Sequence, residues 1–563
     1  MTDKTGHSEK HLREARELTV FGGGEQQHQI ELQLGHVCNN RCVFCVSGQL
    51  TEQRVAKQIP ADPVLGALRK GREDGCRRVT FLGGEPTTQR SFMPALRLSV
   101  ELGYEEIVIF TNGIRTRKPE FIQKIVDLGG NYEWRFSVQG GTREAHDAVT
   151  KRPGSYDRIV AGMRTCADMG EDVTINMCIN RYSYESVPHF PELCKEYNVR
   201  QLHIDQVRPS DAGTRDMDYF LDIMPRYSEM APYFAEMLEG FHAMDPNFDV
   251  NLGNYPYCQL PEWAQHIHHD GQKTYTYPAN TDGLLPAFDK YPVKRADKYH
   301  PPQCGQCVFV KDCNGVFETY AEMYGVDEFV PVTREKLMTI DRDMNFFVQL
   351  VEPYLAGVLS SPCPEPWSAV ERFSNTRDRL LELRYADGEG RAATLIFTPP
   401  EGVGKPVSVH RPLLETERYR MSLLADSNAD MRLITQLVRW ADTMLAREDV
   451  EVTRPVDYKR LAAGFFPPAR LEKGRSRIQR LAGAVASQRT FGEWSWVGTQ
   501  PLDVGLGAVL RVAHPEGGTV DLVLELQPEA DRPLVGVSYR IDDDVSAEEA
   551  RPVVSELMQA LRR

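Results

Sequence analysis

Three cysteines lie close together early in the chain, Cys38, Cys42 and Cys45, in the pattern CxxxCxxC. Cysteine thiolates bind iron–sulfur clusters, and three of them on one short loop can converge on a single [4Fe-4S] cubane. One iron then has no protein ligand, and such an open position permits catalysis at the metal. A structural zinc ion is the alternative, but zinc normally needs a fourth nearby Cys or His. His36 is close in sequence, yet it belongs to the preceding strand and is poorly placed for this role.

The segments around this motif alternate between short β-rich runs and longer helical patterns. One predicted helix, PEFIQKIVDLG, ends in the glycines expected after a helix. The alternation predicts a parallel sheet with right-handed crossovers, and six βα units are fewer than the eight of a closed barrel. The predicted fold class is therefore α/β, an open partial (β/α)6 TIM barrel with its chemistry at the carboxyl ends of the strands. The six predicted strands are residues 29–35, 77–82, 106–111, 133–138, 172–179 and 199–205.

A second motif, Gly83-Gly84-Glu85-Pro86, follows the second predicted strand. Together with CxxxCxxC after the first strand, it resembles the radical S-adenosylmethionine (radical SAM) superfamily, and the resemblance covers residues 28–210. It implies that this GGEP motif holds the methionine amino group of SAM. Two glycines let the backbone approach a ligand closely. Glu85 and backbone carbonyls can then accept hydrogen bonds from an ammonium group.

The resemblance also implies which other residues form the site. The three cysteines of the first group are the metal ligands of the catalytic cluster. Arg152 resembles an arginine that reaches the SAM carboxylate in related enzymes, and Gln139-Gly140 stands where Asp-Gly is frequent. The expected SAM contacts beyond the GGEP motif are Phe44, Thr111, Asn112, Ser137, Gln139 and Arg152.

The resemblance implies an enzyme that reductively cleaves SAM to methionine and a 5′-deoxyadenosyl radical, which abstracts a hydrogen from the substrate. Its cofactors would be a [4Fe-4S] cluster and SAM, with a reductant such as flavodoxin or ferredoxin. The protein would position the reacting carbon and exclude water, because the cofactor carries the difficult chemistry. A non-catalytic iron–sulfur electron carrier or binding protein is the alternative from another class. Such a protein has no need of an ammonium pocket beside an open iron.

A later group of cysteines, Cys304, Cys307 and Cys313, has the pattern CxxCxxxxxC. This run resembles the auxiliary-cluster motif of the SPASM/twitch group within the superfamily. The resemblance implies a second [4Fe-4S] cluster with Cys258 as its fourth ligand. Only Cys363 follows Cys313, so one twitch-like cluster is expected rather than a complete SPASM domain. There are two alternatives. One is a structural zinc ion on the same thiolates, and the other is a cluster with three ligands and one iron open to substrate.

The substrate is less well defined than the chemistry. The twitch/SPASM resemblance implies modification of a peptide or protein side chain, such as a crosslink, a dehydrogenation or an epimerisation. Radical rearrangement or oxidation of a small metabolite is the alternative. The large C-terminal region favours a macromolecular partner, because a small substrate would not need it.

The last part of the chain differs from the barrel in its pattern. Two β-β-β-α runs, at 375–447 and 500–562, suggest an internal duplication of a small α+β module. This region is expected to act as a scaffold, interaction or dimerisation module. The expected organisation is an N-terminal extension (1–27), the partial barrel (28–215), a helical connector (216–250), an irregular twitch-like domain (251–330), a connector (331–365) and an α+β domain (366–563).

Composition limits the classes of protein that fit. The 563 residues are 41% hydrophobic and 26% charged, which is typical of a soluble globular protein with about two to four domains. A net charge of −14 disfavours the nucleic-acid backbone as the main partner. No run approaches the ~18 apolar residues of a membrane helix, and the N-terminus lacks an apolar signal segment. A cytoplasmic protein without a membrane partner is therefore expected.

Overall fold

The structure is a computed structural model, and its described part begins at residue 28. The expected N-terminal extension, 1–27, lies outside the described residues. The described residues are 28–209, 216–246, 248–269, 273–280, 283–375, 379–400, 403, 412–425, 430–445, 450–458, 461, 468–502, 507–526, 534–542 and 545–562.

The chain divides into two compact units. The first ends at Ile340 and the second begins at Asp341. This division falls inside the segment 331–365 that was expected to be a connector. The two units are described separately below.

Six parallel strands form the centre of the sheet in the first unit. They lie in sequence order, and each pairs in parallel with the next. This confirms the parallel βα barrel sheet expected from the sequence, with strand ends within two residues of the predicted ones. The strands are β1 (Gln29–Gln33), β2 (Arg78–Leu82), β3 (Glu106–Thr111), β4 (Tyr132–Phe136), β5 (Asp172–Ile179) and β6 (Gln201–Gln206).

Four further strands extend this sheet to ten, in the order β10-β9-β1-β2-β3-β4-β5-β6-β7-β8. Most of them lie in the segment 251–330, which was expected to be irregular. They were not predicted, because strands of two to five residues are too short to show a clear alternating pattern. A separate two-stranded sheet, β11 with β12, follows. These strands are β7 (Asp249–Gly253), β8 (Ile267–His268), β9 (Thr274–Tyr277), β10 (Phe288–Asp289), β11 (Lys298–Tyr299) and β12 (Val316–Phe317).

Helices connect the strands of the first unit. In α4 the apolar Ile122 and Ile125 are fully buried, Pro119 occupies the first turn, and Gly129 follows the helix at a φ of 78°. The helices are α1 (Val46–Glu52), α2 (Ala61–Glu73), α3 (Phe92–Glu101), α4 (Pro119–Val126), α5 (Arg143–Thr150), α6 (Ser155–Asp168), α7 (Phe190–Glu196), α8 (Met217–Ile223), α9 (Tyr227–Met244), α10 (Lys290–Arg295), α11 (Glu318–Tyr324) and α12 (Arg334–Ile340).

The two faces of the barrel strands differ in polarity. On β1, Ile30 and Leu32 are buried, and Ile30 packs against Gly71 of α2. The alternate residues Glu31 and Gln33 point to the opposite face, where they accept hydrogen bonds from the Thr276 hydroxyl and from the N–H of Ala279. The inner face of this strand is therefore polar, unlike the apolar filling of a closed TIM barrel.

The second unit contains two antiparallel sheets, of six and five strands. Each sheet contains four antiparallel strands that are neighbours in the sheet, β13-β14-β15-β17 in the first and β20-β21-β22-β23 in the second. In both sheets the first of these strands has a bulge, and a helix lies before and after the four strands in the chain. This shared order supports the duplication hypothesis. The elements are α13 (Phe347–Ser360), β13 (Ser368–Asn375), β14 (Leu380–Ala386), β15 (Ala392–Thr398), β16 (Leu414–Thr416), β17 (Arg420–Ala425), α14 (Met431–Met444), β18 (Val452–Arg454), α15 (Pro468–Gln488), β19 (Thr490–Phe491), β20 (Trp494–Leu502), β21 (Gly507–Ala513), β22 (Thr519–Leu526), β23 (Val535–Ile541) and α16 (Ala547–Arg562).

Within the described part of the chain, no helix combines the length and the apolar character needed to cross a membrane.

Candidate functional site

The first cysteine group lies on the loop between β1 and α1. Cys38, Cys42 and Cys45 are all half-buried, and Cys45 is the residue that precedes α1. Burial, together with the nearby Glu85 carboxylate, raises the pKa of Cys38 to about 12. Burial and the other two cysteines raise the pKa of Cys42 as well. The three thiols therefore lie close enough to interact electrostatically.

The chemistry of this donor set fits an iron–sulfur cluster. Buried thiols that raise one another's pKa disfavour three thiolates in the absence of positive charge, and bound iron would supply that charge. Among the described residues, no three His, Cys, Asp or Glu side chains converge as they would on a single metal ion. A cubane has a different requirement, because each of its thiolates binds a separate iron.

The cysteine loop is fastened to the end of α5 by backbone hydrogen bonds. The N–H of Arg41 donates to the carbonyl of Thr150 at 3.0 Å, and the N–H of Val43 donates to Val149 at 2.9 Å. Arg152, which the resemblance places at the SAM carboxylate, donates through Nη1 to the carbonyl of Asn39. In this structure Arg152 is therefore a positioning residue for the cysteine loop.

The two glycines of the GGEP motif pack against the same loop. A Cβ on Gly84 would lie 2.4 Å from the carbonyl oxygen of Val37, and one on Gly83 would lie 2.6 Å from that of Gly35. The N–H of Gly84 donates to Gly35 at 2.7 Å, and the N–H of Glu85 donates to Val37 at 3.0 Å. The two glycines thus permit close approach of β2 to the cysteine loop. Close approach of the GGEP motif to a ligand stays a prediction.

Glu85 is almost completely buried, and its carboxylate links the ends of β2 and β3. Its Oε1 accepts hydrogen bonds from the hydroxyls of Thr87 at 2.5 Å and Thr111 at 2.9 Å. Its Oε2 accepts the backbone N–H of Asn112 at 2.7 Å. Burial raises the pKa of Glu85, and these hydrogen bonds act in the opposite direction. Oε2 keeps capacity for one further donor, such as an ammonium group.

The other predicted SAM contacts lie at the ends of neighbouring strands. The side-chain nitrogen of Asn112 donates to Asn39 in the cysteine loop and lies 4.0 Å from the sulfur of Cys38. The N–H of Ser137 donates to Thr111 at 2.8 Å, which joins the ends of β4 and β3. Gln139 is buried, and its Oε1 accepts the N–H of Cys178 on β5 at 3.0 Å. Phe44, between the second and third cysteines, is half-buried.

His36 has partners on both ring nitrogens. Its Nδ1 lies 2.9 Å from the hydroxyl of Ser47, and its Nε2 lies 3.0 Å from the carbonyl of Ala279. His36 is thus a structural link between the cysteine loop, α1 and the segment after β9. This arrangement disfavours it as the fourth ligand of a zinc ion.

The second cysteine group is assembled from two distant parts of the chain. Cys258 lies in a short 3₁₀ turn, Tyr257–Gln259, and it lines one pocket together with Cys304, Cys307 and Cys313. Burial and the three neighbouring cysteines raise the pKa of Cys258 to about 12. The four thiols are therefore brought together as the sequence predicts, and their chemistry fits a second cluster in the same way as the first group.

The structure also reveals residues that the sequence motifs do not identify. Asn39, Val149 and Thr150 hold the cysteine loop in place, but backbone contacts of this kind leave no residue pattern. A group of charged side chains between the barrel strands and α10 was likewise not predicted. The alternating polar residues of QIELQ and QLHIDQ were the available signal, because they mark strands whose inner faces are polar.

Comparisons with known proteins agree with the motif assignment. Residues 32–194 match the family model described as the radical SAM superfamily. A probable GTP 3′,8-cyclase of Saccharolobus islandicus (strain M.14.25 / Kamchatka #1) is 26% identical over 192 residues, which are 34% of this chain and 60% of that protein. The probable GTP 3′,8-cyclase of Metallosphaera sedula is 28% identical over 193 residues, 34% of this chain and 59% of that protein. The chain thus spans about 60% of the length of these curated relatives.

Solved structures give weaker similarities. Streptococcus suis SuiB bound to S-adenosylmethionine aligns with a TM-score of 0.39 and 16% identity, over 58% of this chain and 80% of that chain. Native anSMEcpe with bound AdoMet aligns with a TM-score of 0.38 and 13% identity, over 59% of this chain and 98% of that chain. The match to the family model and the motifs within it carry the assignment. The chain therefore contains a radical SAM superfamily domain at residues 32–194.

Proposed function

We propose that this protein is a radical SAM enzyme that modifies a peptide or protein side chain. When bound, the cluster would supply one electron that cleaves SAM to methionine and a 5′-deoxyadenosyl radical, which takes a hydrogen atom from the substrate. The observation that carries the proposal is the packing of the GGEP motif against the three-cysteine loop. The backbone N–H groups of Gly84 and Glu85 donate to that loop and fix its distance from β2.

The residues of this chain have separate tasks in such an enzyme. Cys38, Cys42 and Cys45 would hold the cluster, while Arg152 and the end of α5 fix the loop that carries them. Glu85 holds the ends of β2 and β3 together beside that loop, and its Oε2 can accept a hydrogen bond from the SAM ammonium. The carboxyl edge of the sheet would therefore be ordered before SAM binds. This lowers the entropic cost of positioning SAM.

The second cysteine pocket supports an auxiliary cluster. Four thiols that line one pocket can ligate all four irons of a [4Fe-4S] cluster, which would then relay electrons without binding the substrate directly. Val316 of the two-stranded sheet lines the same pocket. A one-electron donor such as flavodoxin or ferredoxin would reduce the enzyme.

A small-molecule substrate is the second candidate, and the named relatives favour it. Proteins named as probable GTP 3′,8-cyclases match 192 residues of this chain at 26% identity. The match covers 34% of this chain, so about two thirds of the chain lies outside it. A region of that size is easier to explain by a macromolecular substrate, so the peptide assignment is preferred.

Anaerobic incubation of the reconstituted enzyme with SAM and dithionite tests the chemistry. We expect 5′-deoxyadenosine and methionine from the wild type and none from Cys38→Ala. Cys76→Ala is the matched control, because Cys76 is buried outside both cysteine groups and should retain activity. Equal activity of Cys38→Ala and the wild type would contradict the proposed function.

Iron analysis separates the alternatives for the second pocket. A second [4Fe-4S] cluster predicts about eight irons per chain, whereas a structural zinc predicts about four irons and one zinc. Replacing Cys258 with Ala should lower the iron content toward four and leave the first cluster intact. Retention of the full iron content in Cys258→Ala would indicate a three-cysteine cluster instead.

A further inference from the structure

Seven polar side chains from separate elements meet in the first unit. They belong to β1, β6, α10 and β11, and to the residue after β7. We call this group the lysine cluster. Its members are Glu31, His203, Asp205, Asn254, Lys290, Lys294 and Lys298.

Helix α10 connects two strands that are far apart in the sheet. Lys290 Nζ lies 2.5 Å from Glu31 Oε1 on β1, and Lys294 Nζ lies 3.9 Å from Asp205 Oδ2 on β6. Four strands separate β1 from β6 in the sheet order. One short helix can reach both only because the sheet curls into an open barrel, so the cluster lies in the opening of that barrel. Lys290 and Lys294 share a helix face because they are four residues apart.

The carboxylate of Asp205 is held by other members of the cluster. Its Oδ2 lies 3.1 Å from His203 Nε2, and its Oδ1 accepts a hydrogen bond from Asn254 Nδ2 at 2.8 Å. Gly253 leaves room for this group, since a Cβ there would lie 2.4 Å from Asp205 Oδ1. Asp205 is therefore held by contacts with His203 and Asn254 as well as by its distant lysine.

Lys298 has no acidic partner of its own among the described residues. Its ammonium donates to Asn254 Oδ1 at 2.5 Å and lies 4.6 Å from the centre of the Phe317 ring. Among the residues that the structure describes, no carboxylate lies within ion-pair distance of Lys298. An ammonium has three N–H donors, so most of its hydrogen-bonding capacity remains for a ligand.

The cluster holds more positive than negative charge. Three lysines face two carboxylates, and the neighbouring Arg208 is already paired with Asp297 at 3.2 Å. The Lys294–Asp205 separation of 3.9 Å is too long for a hydrogen bond, so Lys294 also keeps free donors. A half-buried ammonium without a full partner carries a desolvation cost that an anionic ligand would offset.

The cluster lies near one expected SAM contact, Gln139, and near the second cysteine pocket. Asp205 is opposite Cys178 in the β5–β6 register, and the N–H of Cys178 donates to Gln139, an expected SAM contact. On the other side, Lys298 pairs with Phe317 in the β11–β12 ladder, next to Val316 of the second cysteine pocket.

We propose that Lys294 and Lys298 bind the carboxylate of an acidic residue in the substrate peptide. This inference rests on the proposed function, because it assigns the chemical class of the peptide that the enzyme takes. The two ammonium groups would form charge-assisted hydrogen bonds with the carboxylate oxygens, which are stronger than neutral ones. A phosphate group offers the same anionic oxygens, so the test must separate the two sources.

Calorimetric titration of the reconstituted full-length enzyme with blocked peptides tests the site. The probes are acetyl-Ala-Glu-Ala-amide, acetyl-Ala-Gln-Ala-amide and inorganic phosphate at low ionic strength. We expect the wild type to bind the Glu peptide about ten-fold more tightly than the Gln peptide, which corresponds to about 1.4 kcal/mol. Equal binding of the two peptides, or binding of phosphate alone, would overturn the assignment to an acidic peptide.

Variants then identify the groups responsible. Lys294→Met and Lys298→Met keep an apolar stem but remove the charge, and each should reduce binding of the Glu peptide to the level of the Gln peptide. Lys294→Arg should retain the preference, because the positive charge remains. Lys195→Met, at an exposed position of α7, is the matched control and should bind as the wild type does. A preference for the Glu peptide that survives both Met variants would contradict the proposal.

Two further measurements keep the interpretation clear. The melting temperature and iron content of each variant show whether it folds, and the wild-type comparison of the two peptides holds even if one variant does not. SAM cleavage is measured separately in the wild type. A protein that selects the Glu peptide but forms no 5′-deoxyadenosine would contradict the proposed function alone. A protein that cleaves SAM without selecting the peptide would contradict only the lysine site.

Discussion

Single buried polar residues order the candidate SAM site. Glu85 joins the end of β2 to the end of β3 through Thr111 and Asn112, and its own N–H joins both to the cysteine loop through Val37. A buried carboxylate can serve this purpose only when its oxygens are well supplied with donors. The hydrogen bonds to Glu85 provide that supply, so this residue acts as the junction of three adjacent segments.

Replacing Glu85 with Gln should destabilise the first unit and weaken the cluster site. The side-chain nitrogen of the new glutamine would face the donors at Asn112 or Thr111. A buried donor without an acceptor lowers the free energy of unfolding by about 1–3 kcal/mol. A lower melting temperature and a lower iron content after reconstitution would show this effect. The control Glu236→Gln, at an exposed position of α9, should match the wild type. An unchanged iron content in Glu85→Gln would refute the junction role.

A buried histidine couples the same region to pH. His146 on α5 is almost fully buried, and burial lowers its pKa to about 4 from an ordinary value of 6.5. Its Nδ1 accepts the N–H of Gln139 at 3.0 Å. Since the folded state keeps this ring neutral, the unfolded state binds more protons between these two pH values. The free energy of unfolding therefore falls as the pH drops from about 6.5 to about 4. Above that range the contribution of His146 to this free energy is constant.

The variant His146→Asn should lose part of this pH dependence. An Asn oxygen can replace Nδ1 as an acceptor but does not take up a proton. The full contribution of His146 to the free energy of unfolding is about 3 kcal/mol, because each unit of pKa change corresponds to about 1.36 kcal/mol. Between pH 7 and pH 4.5, the melting temperature of the wild type should fall more steeply than that of the variant. Burial also lowers the pKa values of the half-buried His268 and the buried His269, so some dependence will remain. Parallel pH curves for the two proteins would disprove the assignment.

At the scale of elements, the cysteine loop depends on its contacts with β2 and α5. The loop has little regular structure of its own, and it is held by the Gly83-Gly84 backbone on one side and by the carbonyls of Val149 and Thr150 on the other. The position of the thiols is thus set by neighbouring elements. The absence of a Cβ at residue 84 is required, because the carbonyl of Val37 occupies that space.

Gly84→Ala should displace the cysteine loop and reduce cluster assembly. Its new Cβ would lie 2.4 Å from the Val37 oxygen, so the backbone of one segment must shift. We expect a marked loss of iron and of the visible absorbance of the cluster after reconstitution. Gly66→Ala is the matched control, because residue 66 lies in α2 with open space around its Cβ, where Ala is favoured by roughly 0.5–1 kcal/mol. Normal iron content in Gly84→Ala would show that the loop can adapt.

At the scale of the whole molecule, both cysteine groups lie in one unit. The second unit has its own continuous hydrophobic core, which extends from Phe347 on α13 to Leu561 on α16 and includes both antiparallel sheets. Because this core draws its members from the second unit, the unit has the apolar burial needed to fold without the barrel.

Residues 341–563 expressed alone should therefore form a folded, iron-free protein. We expect a single cooperative thermal transition and circular dichroism typical of a mixed α/β protein. The longer fragment 28–340 should retain the ability to assemble both clusters, because it holds all seven cysteines of the two groups. A molten or aggregated 341–563 fragment would show that its core needs the rest of the chain.

Local patterns were sufficient for much of the fold. The strands β1–β6, the glycine after α4 and the later strands and helices of the second unit all follow from residue periodicity and helix-ending signals. The short strands β7–β10 were missed, because their pairing depends on partners distant in sequence. The leading helix and first strand of each module in the second unit were likewise absent from the predicted repeats at 375–447 and 500–562.

The sequence by itself determined the chemistry available to this protein. Cysteine spacing and the GGEP motif predict the radical SAM domain that the family model matches, because the residues of these motifs are close together along the chain. Only the tertiary structure decided which partners those residues have. Gly84 contacts the cysteine loop, Arg152 contacts Asn39, and α10 carries lysines to both β1 and β6. These contacts depend on how the sheet curls and on which distant segments close its opening, and neither is encoded in any local pattern of residues.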